Sequence, residues 1–401
     1  MALTVIAGFV DAGHRVTTFT LSGDDLSERK EPAARLRELG SGLRPISLPV
    51  PKPTAGSRGR ARAAFMRQIL WPLDDELFPP TDQAEELRAA FAEERVDAGI
   101  AFGNEAIMAS SRGLGVPLVA IAGDPPGLSR RLRMKYAPAA PWSWRPEHFV
   151  YRLTQMSYWL HADRRLLSML RRFPSVGVLG AQHARWAKTH GVSAWHARAP
   201  VADLGGPNWR ERRAASPRPP SPTILMIGHL RGATTIAGLH LFAESILPGL
   251  TERLGENGFE ARIVGGYEPP SNLREKLGHP AVRLLGQISP PDNEFLSADV
   301  MLVPTPVKIG QRTRILTAMS FGCCVVAHSA NRLGIPELAD GENTLLADDG
   351  PGLVDALVRA LRDDDLRARL GTGGRRTYES TSIPERAAAR VVKALEEVAR
   401  R

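Results

Sequence analysis

The chain has 401 residues, 43% of them hydrophobic and 24% charged, which is the composition of a globular protein too long for a single core. No run of about 18 apolar residues predicts a membrane span, and no signal peptide is visible at the start. The two cysteines, Cys323 and Cys324, are adjacent in a strand pattern and would point to opposite faces, which excludes a disulfide framework and suits a reducing cytoplasm.

The formal net charge of +9 is unevenly distributed. Residues 125–172 contain ten Lys or Arg and two acids, and residues 44–71 contain six Lys or Arg and no acid. All seven tryptophans lie at or before Trp209. The basic and aromatic character therefore belongs to the first half of the chain.

Residues 2–12 predict a helix, because apolar side chains recur at helical spacing and Gly13 follows as a stop. A strand at Leu3–Ala7 is the alternative that so short an apolar run leaves open. An α/β domain normally begins with a strand that feeds such a helix. The helical interpretation therefore predicts that the first strand and its ligand-facing loop are missing.

Strands and helices then alternate, which predicts parallel sheets in both halves. The predicted strands are 14–20, 43–48, 98–102, 118–122, 176–179, 223–227, 261–264, 282–285, 300–303 and 324–327. The predicted helices are 32–39, 84–94, 105–111, 234–254, 293–298, 312–321, 353–361 and 384–400. Residues 51–62, rich in Pro, Gly and Arg, predict a loop, and so do the glycines of 371–374.

The polar, proline-rich stretch 208–222 predicts the domain boundary. We therefore predict an α/β protein with an N-terminal domain at 1–207, a linker at 208–222 and a C-terminal domain at 223–380. A last helix is predicted at 381–401, and packing against the N-terminal domain is one option for it. Two doubly wound domains would face each other across a cleft lined by strand carboxyl ends.

The strongest site signal lies in residues 304–338. A buried strand ends at Pro304, a loop containing Gly310 follows, and a helix begins near Arg312. Strand carboxyl ends face the ligand crevice, and a helix start offers free N–H groups to an anion. Arg312 and Arg314 therefore predict a diphosphate site, although positions two apart cannot both face one ligand and a plain surface role for one of them stays open.

Two further loops at strand ends are candidate contacts. Gly228 opens a turn, ending at Gly232, where backbone N–H groups approach a phosphate. The turn is not a dinucleotide fingerprint, and an ordinary strand-to-helix turn is equally consistent with it. Gln287, directly after the strand 282–285, lies where main-chain groups would meet a base edge, or in a plain loop.

In the first half, Asn104 and Asp124 follow the strands 98–102 and 118–122. Their side chains suit binding of hydroxyls or acceptance of a proton, and helix capping is the other interpretation. We predict both as catalytic residues. The aspartates of 363–365 lie just before a helical run and predict helix capping in preference to a metal site, because hard cations need more converging oxygens.

The basic segment 125–172 also contains seven aromatic residues, and three interpretations of it remain open. It binds anionic lipid headgroups, it binds an anionic acceptor, or it is a solvated face with its aromatic residues in the core. Nucleic acid is not predicted as a partner, because no recognition module is present.

Five segments of the second half form one ordered set: ILMIGHLRGATTIAGLHLFAESILPGL (224–250), ARIVGG (261–266), VRLLGQIS (282–289), ADVMLVPTP (298–306) and 310–349. This set resembles the retaining GT-B glycosyltransferases of the sucrose-synthase and mannosyltransferase-like group. The first half is weakly similar at 11–21, 115–127 and 176–192. The resemblance implies two Rossmann-like domains, a nucleotide-sugar donor on the C-terminal domain and an acceptor on the N-terminal domain. It implies neither a cofactor nor a metal.

The resemblance also implies donor contacts. The diphosphate would lie near Gly228, Arg231 and the loop 310–314, and the base would meet main chain at Gln287 and Ile288. The donor-binding residues predicted in this way are Gly228, His229, Arg231, Gly265, Gln287, Ile288, Gly310, Gln311, Arg312, Thr313, Arg314 and Thr317.

The chain departs from the family pattern at three places. The family usually has two glutamates eight positions apart, where this chain has Ile309 and Thr317. Loss of the charged hydrogen bond to the donor ribose would weaken binding by roughly 1.5–3 kcal/mol. A histidine often found after the fourth or fifth strand is replaced by Gly123 and Asp124, and the first strand is predicted to be missing.

These departures leave three functions open. We predict a hexosyltransferase-type enzyme that transfers with retention of configuration and without a metal. A non-catalytic binding or partner subunit and a nucleotide-sugar epimerase are the alternatives. The acceptor, whether glycan, lipid-linked sugar or small molecule, is left open. A cytoplasmic location is predicted, with peripheral attachment to the inner membrane face as an open option.

Overall fold

The structure, a computed structural model, describes residues 2–22, 38, 42–47, 81–103, 107, 113–136 and 161–400. The chain divides into two compact units. The first unit comprises Met1–Arg131, Ala140–Arg198 and Glu385–Arg401, and the second unit comprises Leu132–Ala139 and Ala199–Pro384.

Helices and strands alternate along the described chain. Up to residue 196 they are α1 Ala2–Asp11, β1 Thr17–Ser22, β2 Gly42–Ser47, α2 Thr81–Glu93, β3 Gly99–Phe102, β4 Leu118–Ala122, α3 Pro126–Tyr136, α4 (161–170), β5 Ser175–Val178, α5 Ala181–Thr189 and β6 Ala194–His196. The remainder are α6 Trp209–Ala215, β7 Thr223–Ile227, α7 Ala233–Leu241, a π-helical segment Phe242–Ile246, α8 Leu247–Leu254, β8 Glu260–Val264, α9 Ser271–Lys276, β9 Val282–Gly286, α10 Asp292–Ser297, β10 Val300–Val303, α11 Thr313–Ser320, β11 Cys324–His328, a 3-10 turn Ser329–Leu333, β12 Leu345–Ala347, α12 Gly350–Arg362, α13 Asp364–Thr381 and α14 Pro384–Ala399.

All described strand pairs are parallel, as the alternation predicts. The first unit has a two-stranded sheet, β1-β2, and a four-stranded sheet in the order β3-β4-β5-β6. The second unit has a six-stranded sheet in the order β12-β11-β10-β7-β8-β9. The predicted helices 32–39 and 105–111 and the predicted loop 51–62 lie almost entirely outside the described residues.

Buried strands in the second unit are apolar on both faces, as parallel strands covered by helices must be. Along β10, Val300 and Leu302 join one apolar cluster, and Met301 and Val303 join the cluster on the other face. Cys324 and Cys323 divide between the same two clusters, which confirms that they point to opposite faces. Burial raises the pKa of the Cys324 thiol to about 12, so this side chain is an inert part of the core.

The helix predicted at 2–12 is confirmed as α1. It packs on α14, where Val5 and Phe9 share an apolar cluster with Val391 and Val392. The helices are so close that a Cβ added at Gly8 would lie 2.6 Å from the Cβ of Ala388. Among the described helices, none combines the length and the apolarity needed to cross a membrane.

The loop predicted at the glycines of 371–374 is wrong, because these residues lie inside α13. A Cβ at Gly371 would lie 2.2 Å from the Gly322 carbonyl oxygen, and one at Gly373 would lie 2.2 Å from the Glu342 carbonyl oxygen. Close packing therefore outweighs the low helix propensity of glycine. The capping prediction for the aspartates is confirmed by Asp363, whose Oδ1 accepts the Leu366 N–H at 2.8 Å.

The predicted linker 208–222 contains the helix α6, which belongs to the second unit. Arg213 donates hydrogen bonds to the carbonyl oxygens of Phe295, at 2.8 Å, and Ala298. Arg212 forms an ion pair with Asp292 at 2.9 Å. Arginines in this polar stretch therefore form hydrogen bonds and an ion pair with other residues of the second unit instead of lying free in solvent.

Candidate functional site

The candidate donor site lies at the carboxyl end of the second unit's sheet. The central strand β7 has β10 on one side and β8 on the other, and β9 follows β8. The loops after these strands contain the predicted contacts: Gly228, His229 and Arg231 after β7, Gly265 after β8, Gln287 and Ile288 after β9, and the loop 304–312 after β10. Parallel strands bring these loops to one edge of the sheet, where ligands bind in such folds.

Arg314 joins the ends of the two central strands. Its Nη1 donates to the Ile227 carbonyl oxygen at 2.8 Å, and its Nη2 donates to the Thr305 hydroxyl at 2.8 Å. The Thr235 hydroxyl lies 3.4 Å from Nη1. The Nε atom is buried and has no hydrogen-bond partner. The guanidinium is therefore held by neutral groups, and its ion-pair capacity is unused within the described part of the chain.

Burial, together with the weaker effect of the neighbouring charge of Arg312, lowers the pKa of Arg314 to about 9. At neutral pH the side chain therefore still carries its charge. A buried cation of this kind is costly unless an opposite charge compensates it. The geometry therefore favours a bound anion at this end of the sheet.

Two glycines bring the backbone close to this guanidinium. Gly228 has φ +159°, and a Cβ there would lie 2.5 Å from Nη1 of Arg314. A Cβ at Gly265 would lie 1.8 Å from the Gly228 carbonyl oxygen. Only glycine fits at either position, which explains why the loops have glycine at both. A small pocket beside them is lined by Met226, Ile227, Leu230, Thr235, Gly238, Ile263, Leu302, Pro304, Thr305 and Arg314.

The start of α11 presents the other half of the predicted diphosphate site. Arg312 is the residue at its N-terminus, with φ −81° and ψ 81°, and no side chain caps the first turn. Two of the first N–H groups of α11 donate to nearby carbonyl oxygens, Thr313 to Gln311 at 3.0 Å and Ile315 to Arg312 at 2.9 Å. An anion would therefore meet the remaining N–H groups of this turn, which has no side-chain cap. Arg312 Nη2 lies 3.5 Å from the Val307 carbonyl oxygen, a weak contact that positions the side chain along the loop.

Comparison with protein families identifies this part of the chain. Residues 221–363 match the family model described as glycosyl transferases group 1. We call the matched residues, which lie within the second unit, the group 1 domain. A comparison with curated protein sequences finds no match.

Three solved structures illustrate the fold that this chain shares with known proteins. A glycosyltransferase from Rickettsia africae has a TM-score of 0.66 at 10% identity, with 99% of this chain and 93% of that chain covered. Sucrose-phosphate synthase from Thermosynechococcus elongatus has a TM-score of 0.63 at 16% identity, with 98% and 91% covered. HepE from Anabaena, in complex with UDP and glucose, has a TM-score of 0.59 at 13% identity, with 98% and 95% covered. At these identities the likeness shows the fold alone, which is the predicted GT-B fold.

Some of the residues predicted to bind the nucleotide-sugar donor form hydrogen bonds with other residues of the group 1 domain or its flanks. The Gln311 Oε1 accepts the Ala199 N–H at 3.0 Å, so this amide fastens the loop to the start of the second unit. The Thr317 hydroxyl donates to the Thr313 carbonyl oxygen at 3.2 Å inside α11. Ile309, at the position of the first family glutamate, is 5% exposed. The hydroxyl of Thr317 is therefore the polar group that the two altered positions retain.

The loop after β8 contains a residue that the sequence did not single out. Tyr267 is 65% exposed and has φ +69°, a left-handed conformation that non-glycine residues rarely adopt. Its ring lies 4.8 Å from the His229 ring and 5.8 Å from the Arg231 guanidinium. The one available sequence signal was its place directly after two glycines at a strand end.

The first unit holds a separate polar cluster at its own strand ends. Asp124 follows β4, and its Oδ1 lies 2.9 Å from Nδ1 of His183, which is 5% exposed. Asp163 accepts the Gly127 N–H at 2.8 Å, and burial raises the pKa of its carboxyl group. Sequence reasoning missed both residues: His183 lies within the weakly similar stretch 176–192 but not directly at a strand end, and Asp163 lies in no motif. Asn104, the second predicted catalytic residue, lies outside the described residues.

Among the residues that the structure describes, no cluster of metal-ligand side chains lies near these groups. Over the ranges that it describes, no three or more His, Cys, Asp or Glu side chains come together in a way that could hold a metal ion. Arg314 and Arg312, whose charges interact, are two positive groups at the predicted diphosphate site of the group 1 domain.

Proposed function

We propose that this protein is a glycosyltransferase that moves a sugar from a nucleoside-diphosphate donor to an acceptor, with the group 1 domain binding the donor. The observation that carries the proposal is the Arg314 guanidinium, placed without a described carboxylate partner at the ends of β7 and β10. The family match of residues 221–363 supports the same activity. The complex of the Anabaena relative with UDP and glucose supports a nucleotide sugar as the donor.

The chemistry of the leaving group explains why these elements suit the reaction. Cleavage of the bond between sugar and diphosphate leaves negative charge on the diphosphate oxygens. Fixed hydrogen-bond donors and cations lower the reaction barrier when they lie where charge develops. They do so more effectively in a preorganised site than in water. The cation of Arg314 and the uncapped N-terminus of α11 are two such groups, and the glycine turn at Gly228 lets the backbone approach.

Retention of configuration, metal independence and transfer of a hexose are part of the proposal and rest on the resemblance of the donor stretch. Under it, Arg312 and Arg314 supply positive charge that a divalent cation supplies in other enzymes. The family match and the structural likenesses do not favour an epimerase or a non-catalytic subunit.

On the acceptor side we assign Asp124 as the residue that contacts the acceptor hydroxyl. Its carboxylate is 30% exposed at the side chain, and its Oδ1 is oriented by His183. A carboxylate is an acceptor for a hydroxyl proton, and a histidine partner fixes which oxygen stays available. Asn104 keeps the role of a second hydroxyl contact in this proposal.

Calorimetry with UDP, GDP and ADP tests the donor site. We expect the wild-type protein to bind at least one of them and Arg314→Gln to bind it at least tenfold more weakly, because a charge-assisted interaction of about 1.5–3 kcal/mol is removed. Arg253→Gln is the matched control, since Arg253 forms an exposed ion pair with Asp355 away from this loop. Equal thermal melting of the two variants would exclude a folding defect.

Failure is defined by two results. If neither the nucleoside diphosphates nor their sugar derivatives bind, and no nucleotide sugar is hydrolysed or transferred, the proposed function is wrong. If Arg314→Gln binds as tightly as Arg253→Gln, the donor site does not lie at this edge of the sheet.

A further inference from the structure

Tyr267 is placed in a way that packing does not explain. Its side chain is 65% exposed, the largest exposed fraction among the exposed large hydrophobic residues of the described chain. Its φ of +69° costs free energy that a glycine would not incur. A strained residue whose side chain buries little surface gains nothing from the core. Such strain persists at ligand sites, where the surrounding structure holds it.

The surroundings orient the ring. His229 contacts it at a centroid distance of 4.8 Å and an interplanar angle of 45°, and Arg231 lies 5.8 Å from the ring centroid. Arg231 Nε also lies 3.4 Å from the carbonyl oxygen of Glu268, the next residue. Two side chains of the loop after β7 thus support the tyrosine of the loop after β8. Because most of its surface stays exposed, an open aromatic surface remains for a ligand.

The position of the ring relates it to the donor. The Leu230 N–H donates to the Gly266 carbonyl oxygen at 3.3 Å, which joins the two loops beside Gly228. A Cβ at Gly266 would lie 3.2 Å from Oε1 of Gln287, so the loop after β9 also meets this backbone. Tyr267 therefore lies between the loop of the diphosphate and the loop predicted to meet the base.

We propose that Tyr267 is a stacking platform for the nucleobase of the donor. This inference rests on the proposed function and adds a base-binding residue to its site. An aromatic ring suits any base, because every base offers a π-face. Arg231 and His229 hold the ring, so they are positioning residues for the same contact. The platform makes the base, and not only the diphosphate, a source of donor affinity.

Calorimetry with two probes separates stacking from phosphate binding. The first probe is whichever of UDP, GDP and ADP binds the wild-type protein most tightly, and the second is inorganic pyrophosphate. For Tyr267→Gly we expect about tenfold weaker nucleotide binding with pyrophosphate binding unchanged, because only the base loses its contact. Tyr267→Phe keeps the ring and should bind the nucleotide as the wild type does.

The glycine variant also separates function from folding. Glycine tolerates the positive φ of this position, so Tyr267→Gly should melt no lower than the wild type. Arg314→Gln, by contrast, should weaken binding of both probes.

Three outcomes would decide against the platform. Equal nucleotide binding by wild type and Tyr267→Gly overturns it while leaving the proposed function intact. Equal loss of nucleotide and pyrophosphate binding in Tyr267→Gly also overturns it, since the residue would then act on the phosphates. Absence of nucleoside-diphosphate binding by the wild type overturns the proposed function and the platform together.

Discussion

At the scale of single residues, the sequence predicted Arg314 but not its environment. Two arginines at a helix start indicated an anion site, and their spacing indicated that they would not act alike. The contacts of Arg314 with Thr305 and with the carbonyl oxygen of Ile227 join residues 9 and 87 positions away. Contacts of this kind depend on strand order, which local patterns do not contain.

The Thr305 hydroxyl provides a test of that environment. Thr305 is fully buried and accepts from Arg314 at 2.8 Å. Thr305→Val keeps the shape and removes the acceptor, so a buried guanidinium N–H loses its partner. We expect a loss of about 1–3 kcal/mol in the free energy of unfolding, measured by urea denaturation. Thr251→Val serves as the control, because this half-buried hydroxyl donates to the Leu247 carbonyl oxygen at 2.9 Å and its other contact, with His279 Nε2, is long at 3.4 Å. Equal unfolding midpoints of the two variants would contradict the assignment.

The pKa of Arg314 predicts how donor binding depends on pH. Burial lowers this pKa to about 9. Because the unfolded chain holds the proton more tightly, the charged guanidinium opposes folding below about pH 9, and this penalty shrinks as pH rises from there toward the ordinary arginine pKa.

The affinity for an anionic ligand changes with pH in the opposite direction to the stability of the fold. Loss of the charge as pH rises through about 9 removes the partner of the diphosphate, so nucleoside-diphosphate affinity should fall there. Calorimetry across this range measures the effect. Arg314→Gln should show no such inflection. A wild-type profile that stays flat to pH 10 or so would mean that the guanidinium does not meet the ligand.

At the scale of elements, the alternation of apolar and polar segments predicted most strands within a residue or two. Two strands were missed, β6 and β12, and each has only three residues. So short a run has too few positions to show a period. Helix α13 was missed for another reason: three glycines normally weaken a helix, and only the approach of neighbouring backbone makes them favourable.

The glycines of α13 therefore give a stability prediction. Gly373→Ala would place a Cβ 2.2 Å from the Glu342 carbonyl oxygen. Although alanine has the better helix propensity, we expect a destabilisation of about 1–3 kcal/mol from overpacking. Thermal melting measures it. Thr372→Ala, at the adjacent and less buried position, is the control and should be neutral. A stabilised Gly373→Ala protein would contradict the close packing of α13.

At the scale of the whole molecule, the uneven charge distribution bears on partners other than the donor and the acceptor. The basic segment 125–172 is described at 125–136 and 161–172. Within α3, Arg131, Arg133 and Lys135 are exposed. We keep contact with anionic lipid headgroups as a proposal for this segment.

Sedimentation with vesicles tests the lipid proposal. Vesicles of phosphatidylglycerol should pull down the protein at low salt and release it at high salt, because screening weakens attraction between exposed charges. Replacing both Arg133 and Lys135 by Gln should reduce the bound fraction. The control replaces Arg253 and Arg359 by Gln, which removes two positive charges outside this segment. Equal binding to uncharged phosphatidylcholine vesicles, or equal loss in both double variants, would reject the proposal.

The packing of α14 against α1 has a consequence for the order of folding during synthesis. The first unit includes residues 385–401, and Val391 and Val392 share a cluster with Val119 and Ile121 of β4. The ribosome makes these residues only after the whole second unit has been made. The second unit can therefore complete its core without these residues, while the earlier-made unit waits for its closing helix. A protein truncated after residue 384 should protect the second unit from protease and leave β4 open to cleavage.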